Sequence, residues 1–335
     1  MLKNSNKNMM MLSLILSTIM VISSENWFSI WIGLEINMMS FVPLMEKSKN
    51  FLSSESKMIY FIIQSSASIM FMFTIISNPI IMIKEEMLDS TTMAIMTMSM
   101  ATKMGMAPMH LWFINIISKI SWGNCMILMT WQKLAPMYVI STLYNNSVII
   151  TSISILSALV GAIGGINQTS IKKVLAFSSI NHMGWMTICL KHNNETWIKY
   201  LLIYSIMIIL LTKNLEMKSI NFINQMNINM KTKIEKTNFL IMMLSLGGLP
   251  PFIGFLPKWL VIQSLIQTES MFTLFILMMT SMITLFYYLR MITPMIMSNN
   301  IINKWNTNSF NMKTNYMIMM GFNMMLPLTL IINTM

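Results

Sequence analysis

Glu35, Lys103, Lys133 and Lys258 each stand inside a stretch of apolar sequence about as long as a bilayer is thick. A charge at the centre of a spanning helix costs roughly 2.5–3.5 kcal/mol on insertion scales, so its default reading is functional. Around Lys133 the order is Trp131-Gln132-Lys133-Leu134-Ala135-Pro136, with nothing acidic within twenty residues. Glu35 is the only carboxylate inside any apolar segment, in Trp31-Ile32-Gly33-Leu34-Glu35-Ile36-Asn37. The chemistry such a set can do is proton transfer. Hydrocarbon disfavours a charged amine and a nearby carboxylate restores it, so re-pairing an acid can make a lysine hold or release a proton. An arginine stays protonated and cannot serve. A structural ion pair is the alternative for Glu35.

Two histidines are candidates of the same kind. His182 lies in Ser178-Ser179-Ile180-Asn181-His182-Met183-Gly184-Trp185, a polar patch in mid-segment that can carry a water chain. His110 follows Pro108 in an interrupted segment. Neutral packing is the alternative for each. Arg290, near a segment end, reads as a side chain snorkelling to the interface. Trp27, Trp31, Trp197 and Trp305 read as interfacial anchors.

The elements that must position these groups are membrane helices. Of 335 residues, 55% are hydrophobic and 10% charged, against about 25% charged in soluble domains. Eleven segments of suitable length are expected at 9–23, 26–45, 57–77, 90–118, 124–144, 148–166, 171–190, 197–215, 237–267, 271–294 and 314–333. The longest polar connections, 216–236 and 295–313, leave no room for an aqueous domain. Alternating these segments across a bilayer places 15 lysines on one side and only Lys84, Lys191 and Lys199 on the other. That asymmetry follows the positive-inside rule. It explains the net charge of +11 without nucleic acid and puts the N-terminus on the basic side.

Two segments are too long and carry helix breakers. One reads Lys103-Met104-Gly105-Met106-Ala107-Pro108-Met109-His110, the other Gly247-Gly248-Leu249-Pro250-Pro251-Phe252-Ile253-Gly254-Phe255-Leu256-Pro257-Lys258. Interrupted segments in corresponding halves point to an ion path, although each alone fits an ordinary proline kink. They are the fourth and ninth segments, which suggests two five-helix repeats, the second inverted. The expected fold is an all-α polytopic membrane protein of about eleven transmembrane helices, two of them discontinuous. Its divisions are 1–147 and 148–295 for the repeats and 296–335 for a C-terminal loop and last helix.

Cys125 and Cys189 lie far apart in apolar segments and read as core residues. There is no nucleotide-binding glycine motif, cysteine cluster or histidine pair at haem spacing. No cofactor or metal is expected in this chain.

The motifs around Glu35, Lys103, Lys133, His182 and Lys258 occur in an order that resembles the chain 2 family of NADH–ubiquinone oxidoreductase, from about Trp31 to Trp259. The 45 methionines and the length look like an arthropod mitochondrial copy. The resemblance implies an antiporter-like, proton-pumping subunit of respiratory complex I in the inner mitochondrial membrane, its basic loops facing the matrix. It implies Glu35 and Lys103 as a paired input site, Lys133 as the central relay, Lys258 as the lysine of the second broken helix and His182 on the connecting hydrophilic axis. The implied partners are other membrane-arm subunits, the lipid bilayer with its cardiolipin, protons and internal water. Larger bacterial relatives carry three further leading helices. The competing function classes are a purely structural membrane-arm subunit and an independent cation/proton antiporter.

Overall fold

The computed structural model describes residues 2–45, 51–81, 86–143, 147–190, 194–230, 233–267 and 270–297, with residues 320, 321 and 323. Among them helices form throughout and no strand does; a single antiparallel bridge joins Ser170 to Phe222. Two compact units divide the chain, Met1–Ser157 and Ala158–Met335. The segment at 314–333 lies outside the described residues apart from those three positions.

The first unit contains α1 (Leu2–Ser23), α2 (Trp27–Leu44), α3 (Phe51–Ile81), α4 (Glu86–Met104), α5 (Leu111–Lys119), α6 (Trp122–Met129) and α7 (Leu134–Thr142). In it α1 packs on α2, α3 on α4 and α5, and α7 on α4 and α1. α8 (Ser147–Gly165) contains the boundary between units. The second unit continues with α9 (Ile171–Cys189), α10 (Asn194–Met217), α11 (Ile223–Asn229), α12 (Lys233–Gly247), α13 (Phe255–Gln267) and α14 (Met271–Met297). Among the described residues, five helical stretches, at Trp27–Leu44, Phe51–Ser77, Val148–Gly165, Glu195–Met217 and Met271–Met297, are long and apolar enough to cross a membrane.

α9 is the core of the second unit. Every residue from Val174 to Leu190 is buried, including Ser178, Ser179, Asn181 and His182, and α10, α13 and α14 pack against it. α8 approaches without intervening side chains: a Cβ on Gly161 would stand 2.6 Å from the Asn181 nitrogen and 2.7 Å from the Phe177 oxygen. Small residues allow this backbone-to-backbone contact between helices in hydrocarbon.

Both interruptions expected from glycine and proline are present, and both have the same local chemistry. α4 ends with Gly105 at φ 73°, the Gly105 amide bonding Thr102 O at 3.1 Å and the Met106 amide bonding Ala101 O at 3.0 Å. α12 ends with Gly248 at φ 80°, the Gly248 amide bonding Ser245 O at 3.0 Å and the Leu249 amide bonding Leu244 O at 3.3 Å. These are Schellman caps, in which a left-handed glycine turns the chain back on the last carbonyls. Pro108 and the pair Pro250-Pro251 then prevent the helix from resuming at once.

One expectation requires correction. The fifth segment is not one continuous helix: α6 stops at Met129, Trp131–Lys133 form a 3-10 turn, and α7 begins at Leu134. Pro136 is the cause, because it has no N–H to give to the carbonyl four residues back and its ring crowds that carbonyl. The polar connection 216–236 has structure of its own. It holds α11, whose start is fixed by Gln225 Oε1 accepting from the amides of Asn221 (2.8 Å) and Phe222 (3.2 Å). Lys218 pairs with Glu235 at 2.7 Å across the same connection.

Replacing Gly161 by valine puts methyl groups where only backbone can yield, and overpacking costs about 1–3 kcal/mol. Gly161→Val is expected to lower the thermal midpoint of the purified protein by several degrees; Gly123→Ala, where a Cβ meets nothing within 4 Å, is expected to leave it unchanged.

Candidate functional site

In the first unit, Lys103 occupies the last turn of α4 and is 8% exposed. Its backbone carbonyl, freed by the break, accepts the side-chain amide of Gln64 from α3 at 3.0 Å. Glu35 on α2 is half-buried and interacts electrostatically with Lys103, but the two make no ion pair within 4.0 Å among the described residues. Between α2, α3, α4 and the Lys133 turn lies a cavity of about 20 Å³, lined by Asn37, Tyr60, Gln64, Lys103 and Gln132 with Leu34, Met38 and Pro136. That volume suits one water molecule, and a water needs polar partners. Two stand ready: Asn37 Oδ1 and Gln132 Nε2 are buried with no protein hydrogen bond, one an acceptor and the other a donor.

Lys133 ends the 3-10 turn and is 2% exposed. Its ammonium nitrogen lies 5.6 Å from the centroid of Phe113 on α5. The 3-10 turn sets its direction, since an uninterrupted helix through Pro136 would point residue 133 elsewhere. His110 caps α5 at the break itself; it is half-exposed, and its Nδ1 stands 3.0 Å from Pro108 O.

In the second unit, Lys258 rises from the first turn of α13 and is 5% exposed. Its ammonium donates to the Gly247 carbonyl at 2.8 Å and lies 5.9 Å from the Trp185 ring of α9. A cation at the carbonyl end of α12 also meets the negative pole of that helix. Gly248 makes the arrangement possible, since a Cβ there would come 2.8 Å from Lys258 Cδ and 2.9 Å from its nitrogen. His182, one turn before Trp185, has Nδ1 2.9 Å from the Tyr200 hydroxyl and its ring 5.0 Å from Tyr204. A cavity of about 10 Å³ joins His182, Tyr200 and Tyr204 to Ser245, Gly254 and Pro257, beside the second break. Tyr204 and Tyr288 lie against Ser179 and Ser178 of α9, and Tyr287 and Tyr288 meet edge to face at 4.8 Å.

The structure thus brings Lys103 and the Lys133 turn around one cavity in the first unit, with Glu35 in electrostatic reach of Lys103 but not lining that cavity, and Lys258 and His182 around one break in the second. One outlying side chain differs from expectation. Trp197 is buried rather than exposed at an interface. Arg290, near the end of its segment, donates to Gln168 O at 2.6 Å and ties α14 to the turn before α9. Trp305 lies outside the described residues. Asn37, Gln64, Gln132 and the tyrosines were not singled out in the sequence. Their signal there was polar residues inside apolar segments; without charge they cost less to bury and stand out less. Among the described residues no group of three His, Cys, Asp or Glu is placed to hold a metal ion.

Apolar helices long enough to span, two glycine-capped interruptions and buried lysines beside them define a polytopic helical membrane protein. Comparison with known proteins agrees. The family model of the membrane region of NADH:quinone oxidoreductases and Mrp antiporters matches residues 24–284. The NADH-ubiquinone oxidoreductase chain 2 of Anopheles gambiae is 42% identical over 318 residues, covering 93% of this chain and 92% of its own, and that of Bos taurus is 35% identical over 336 residues, covering 95% of each. A chain of respiratory complex I from Thermus thermophilus shares the fold with a TM-score of 0.82 at 19% identity, covering 97% of this chain and 79% of its own. A chain of the Mrp complex of Dietzia sp. follows with a TM-score of 0.77 at 16% identity, covering 85% of this chain and 59% of its own. The chain belongs to the NADH-ubiquinone oxidoreductase chain 2 family.

Gly248→Ala is expected to strain the left-handed cap by about 1–2 kcal/mol and to push Lys258 off the Gly247 carbonyl. The measurement is thermal unfolding of the purified protein beside Gly123→Ala; equal midpoints for the two variants would refute the packing described for Lys258.

Proposed function

We propose that this chain is a proton-translocating membrane subunit of an NADH:ubiquinone oxidoreductase. Protons pass along Glu35, Lys103, Lys133 and Lys258, with His182 and His110 as auxiliary groups, driven by quinone reduction in other subunits. The observation that carries this reading is the burial of all three lysines, Lys103 on a water-sized polar cavity that the Lys133 turn also borders and Lys258 beside a break that borders a second. Three amines removed from water by a stable fold represent a large cost, and such cost is retained where charge must be moved. Family membership supports the same reading, as does the fold shared with respiratory complex I and Mrp chains.

The roles divide by surroundings. Glu35, half-buried and in electrostatic reach of Lys103, is the acid whose charge or displacement governs proton occupancy there. The cavity holding Asn37 and Gln132 connects Lys103 with the turn that carries Lys133. In the second unit the cavity at His182 borders the break beside Lys258. Hydride and electron transfer belong to other subunits, and this chain carries no redox cofactor or metal. Its partners are the neighbouring membrane-arm subunits and the bilayer, with cardiolipin among the lipids, in the inner mitochondrial membrane. The lysine asymmetry supports eleven spans with the N-terminus on the matrix side and two inverted five-helix repeats at 1–147 and 148–295.

Lys133→Met in the assembled enzyme tests the proposal. Loss of a positioned proton-transfer group lowers rates by about 10²–10⁴-fold, so proton-coupled turnover is expected to fall at least about tenfold while the complex still assembles. An unchanged number of protons moved per NADH would remove Lys133 from the path. Failure of assembly across Lys133→Met and Lys133→Gln would favour a structural subunit.

A further inference from the structure

Lys133 and Lys258 share a feature that proton relay by itself does not require: each ammonium faces an aromatic ring. Lys133 lies 5.6 Å from the centroid of Phe113, and Lys258 lies 5.9 Å from that of Trp185. Both distances fall within the range in which a ring face attracts a cation, an attraction largest where water is excluded. Exclusion is nearly complete here, since Phe113, Lys133 and Trp185 are each no more than 2% exposed. A neutral amine gains nothing comparable from the ring, so the contact distinguishes the loaded state of the lysine from the empty one.

The rings are also packed against the two helix breaks, one directly and one through its lysine. Phe113 does not merely fill space beside Lys133. A Cβ on Gly105, the left-handed residue of the first break, would stand 2.7 Å from Phe113 Cβ and 3.0 Å from Cγ, so the break sits directly on the base of this side chain. Lys103 lies two residues before Gly105. The Phe113 side chain therefore packs against both the first break and Lys133, so a shift of one is felt at the other. Interiors transmit such shifts because they are close-packed. In the second unit the order of contacts differs but the parts are alike. Gly248 of the break packs on the Lys258 side chain, whose nitrogen reaches both the Gly247 carbonyl and the Trp185 ring. Trp185 stands one turn beyond His182 on the buried helix α9.

We infer that Phe113 and Trp185 are positioning residues for proton transfer, each holding the protonated lysine against its ring so that the adjacent helix break governs when the proton is kept. The inference rests on the proton-relay reading of Lys133 and Lys258 and adds residues that do not themselves carry protons. Neither phenylalanine nor tryptophan has a group that titrates near neutral pH, so their part must be played through the lysines.

The test compares ring-removing with ring-keeping substitutions in the assembled enzyme: Phe113→Leu against Phe113→Tyr, and Trp185→Leu against Trp185→Phe. Protons moved per NADH, proton-coupled turnover and the KM values for NADH and quinone are measured for each, with Lys133→Met alongside. The expectation is that each leucine variant lowers proton-coupled turnover at least about threefold with both KM values unmoved, and that each aromatic variant restores it to within about twofold of the parent. If Phe113→Leu does not assemble, the Trp185 pair decides. Leucine variants as active as the parent, or aromatic variants as impaired as leucine at both positions, overturn the inference. It fails alone if Lys133→Met abolishes proton-coupled turnover while these results hold; if Lys133→Met leaves proton movement intact, the relay reading fails first.

Discussion

Hydrocarbon supplies no hydrogen bonds, so every backbone group in a membrane helix must find its partner within the protein. A helix that stops inside the membrane breaks that rule at its C-terminal carbonyls, and among the described residues α4 and α12 both stop this way at a left-handed glycine. The Schellman caps at Gly105 and Gly248 return two amides to the last turn in each case, but carbonyls remain. At the first break the Lys103 carbonyl is met by the neutral amide of Gln64. At the second the Gly247 carbonyl is met by the ammonium of Lys258. The site groups are thus not decorations on a finished scaffold, because they complete the backbone that the breaks leave open.

That dependence gives the two breaks different sensitivities. An amide donor is indifferent to protonation, so the first break keeps its cap whatever Lys103 carries. The second break is closed by a titratable side chain, and its strongest hydrogen bond is charge-assisted. The Ile253 amide adds a bond to the Asn323 carbonyl at 3.1 Å, which fixes the far side of the second break by other means. Local satisfaction and proton occupancy are therefore linked most directly at Lys258. At Lys103 the link runs through Glu35 and the small polar cavity.

Much of the architecture was legible in the residues. Apolar runs gave the helical segments because each must bury its own backbone, and the Gly/Pro clusters gave both interruptions because left-handed glycine and donor-less proline have few other uses there. Lys103, Lys133 and Lys258 were legible for the same energetic reason, each an expensive residue in an apolar setting. Less legible were Gln64, Asn37 and Gln132, whose burial is affordable once partners exist, and the interruption before Lys133, where one proline inside a good apolar run gave an ambiguous signal. Trp197 shows the opposite error: tryptophan near a segment end suits an interface, yet its ring packs inside.

The sequence by itself determined where helices run, where two of them must stop and which charges are held away from water, because these follow from the transfer cost of single groups. Only the tertiary structure decided which groups meet. That Gln64 caps Lys103, that Phe113 and Trp185 face the buried amines and that Glu35 stays half-buried depend on the rotation and approach of neighbouring helices. Small residues such as Gly161 and Gly248 set that approach by letting atoms of distant parts of the chain come within contact distance. The physical reason is that burial is a property of each residue, whereas contact is a property of packed pairs.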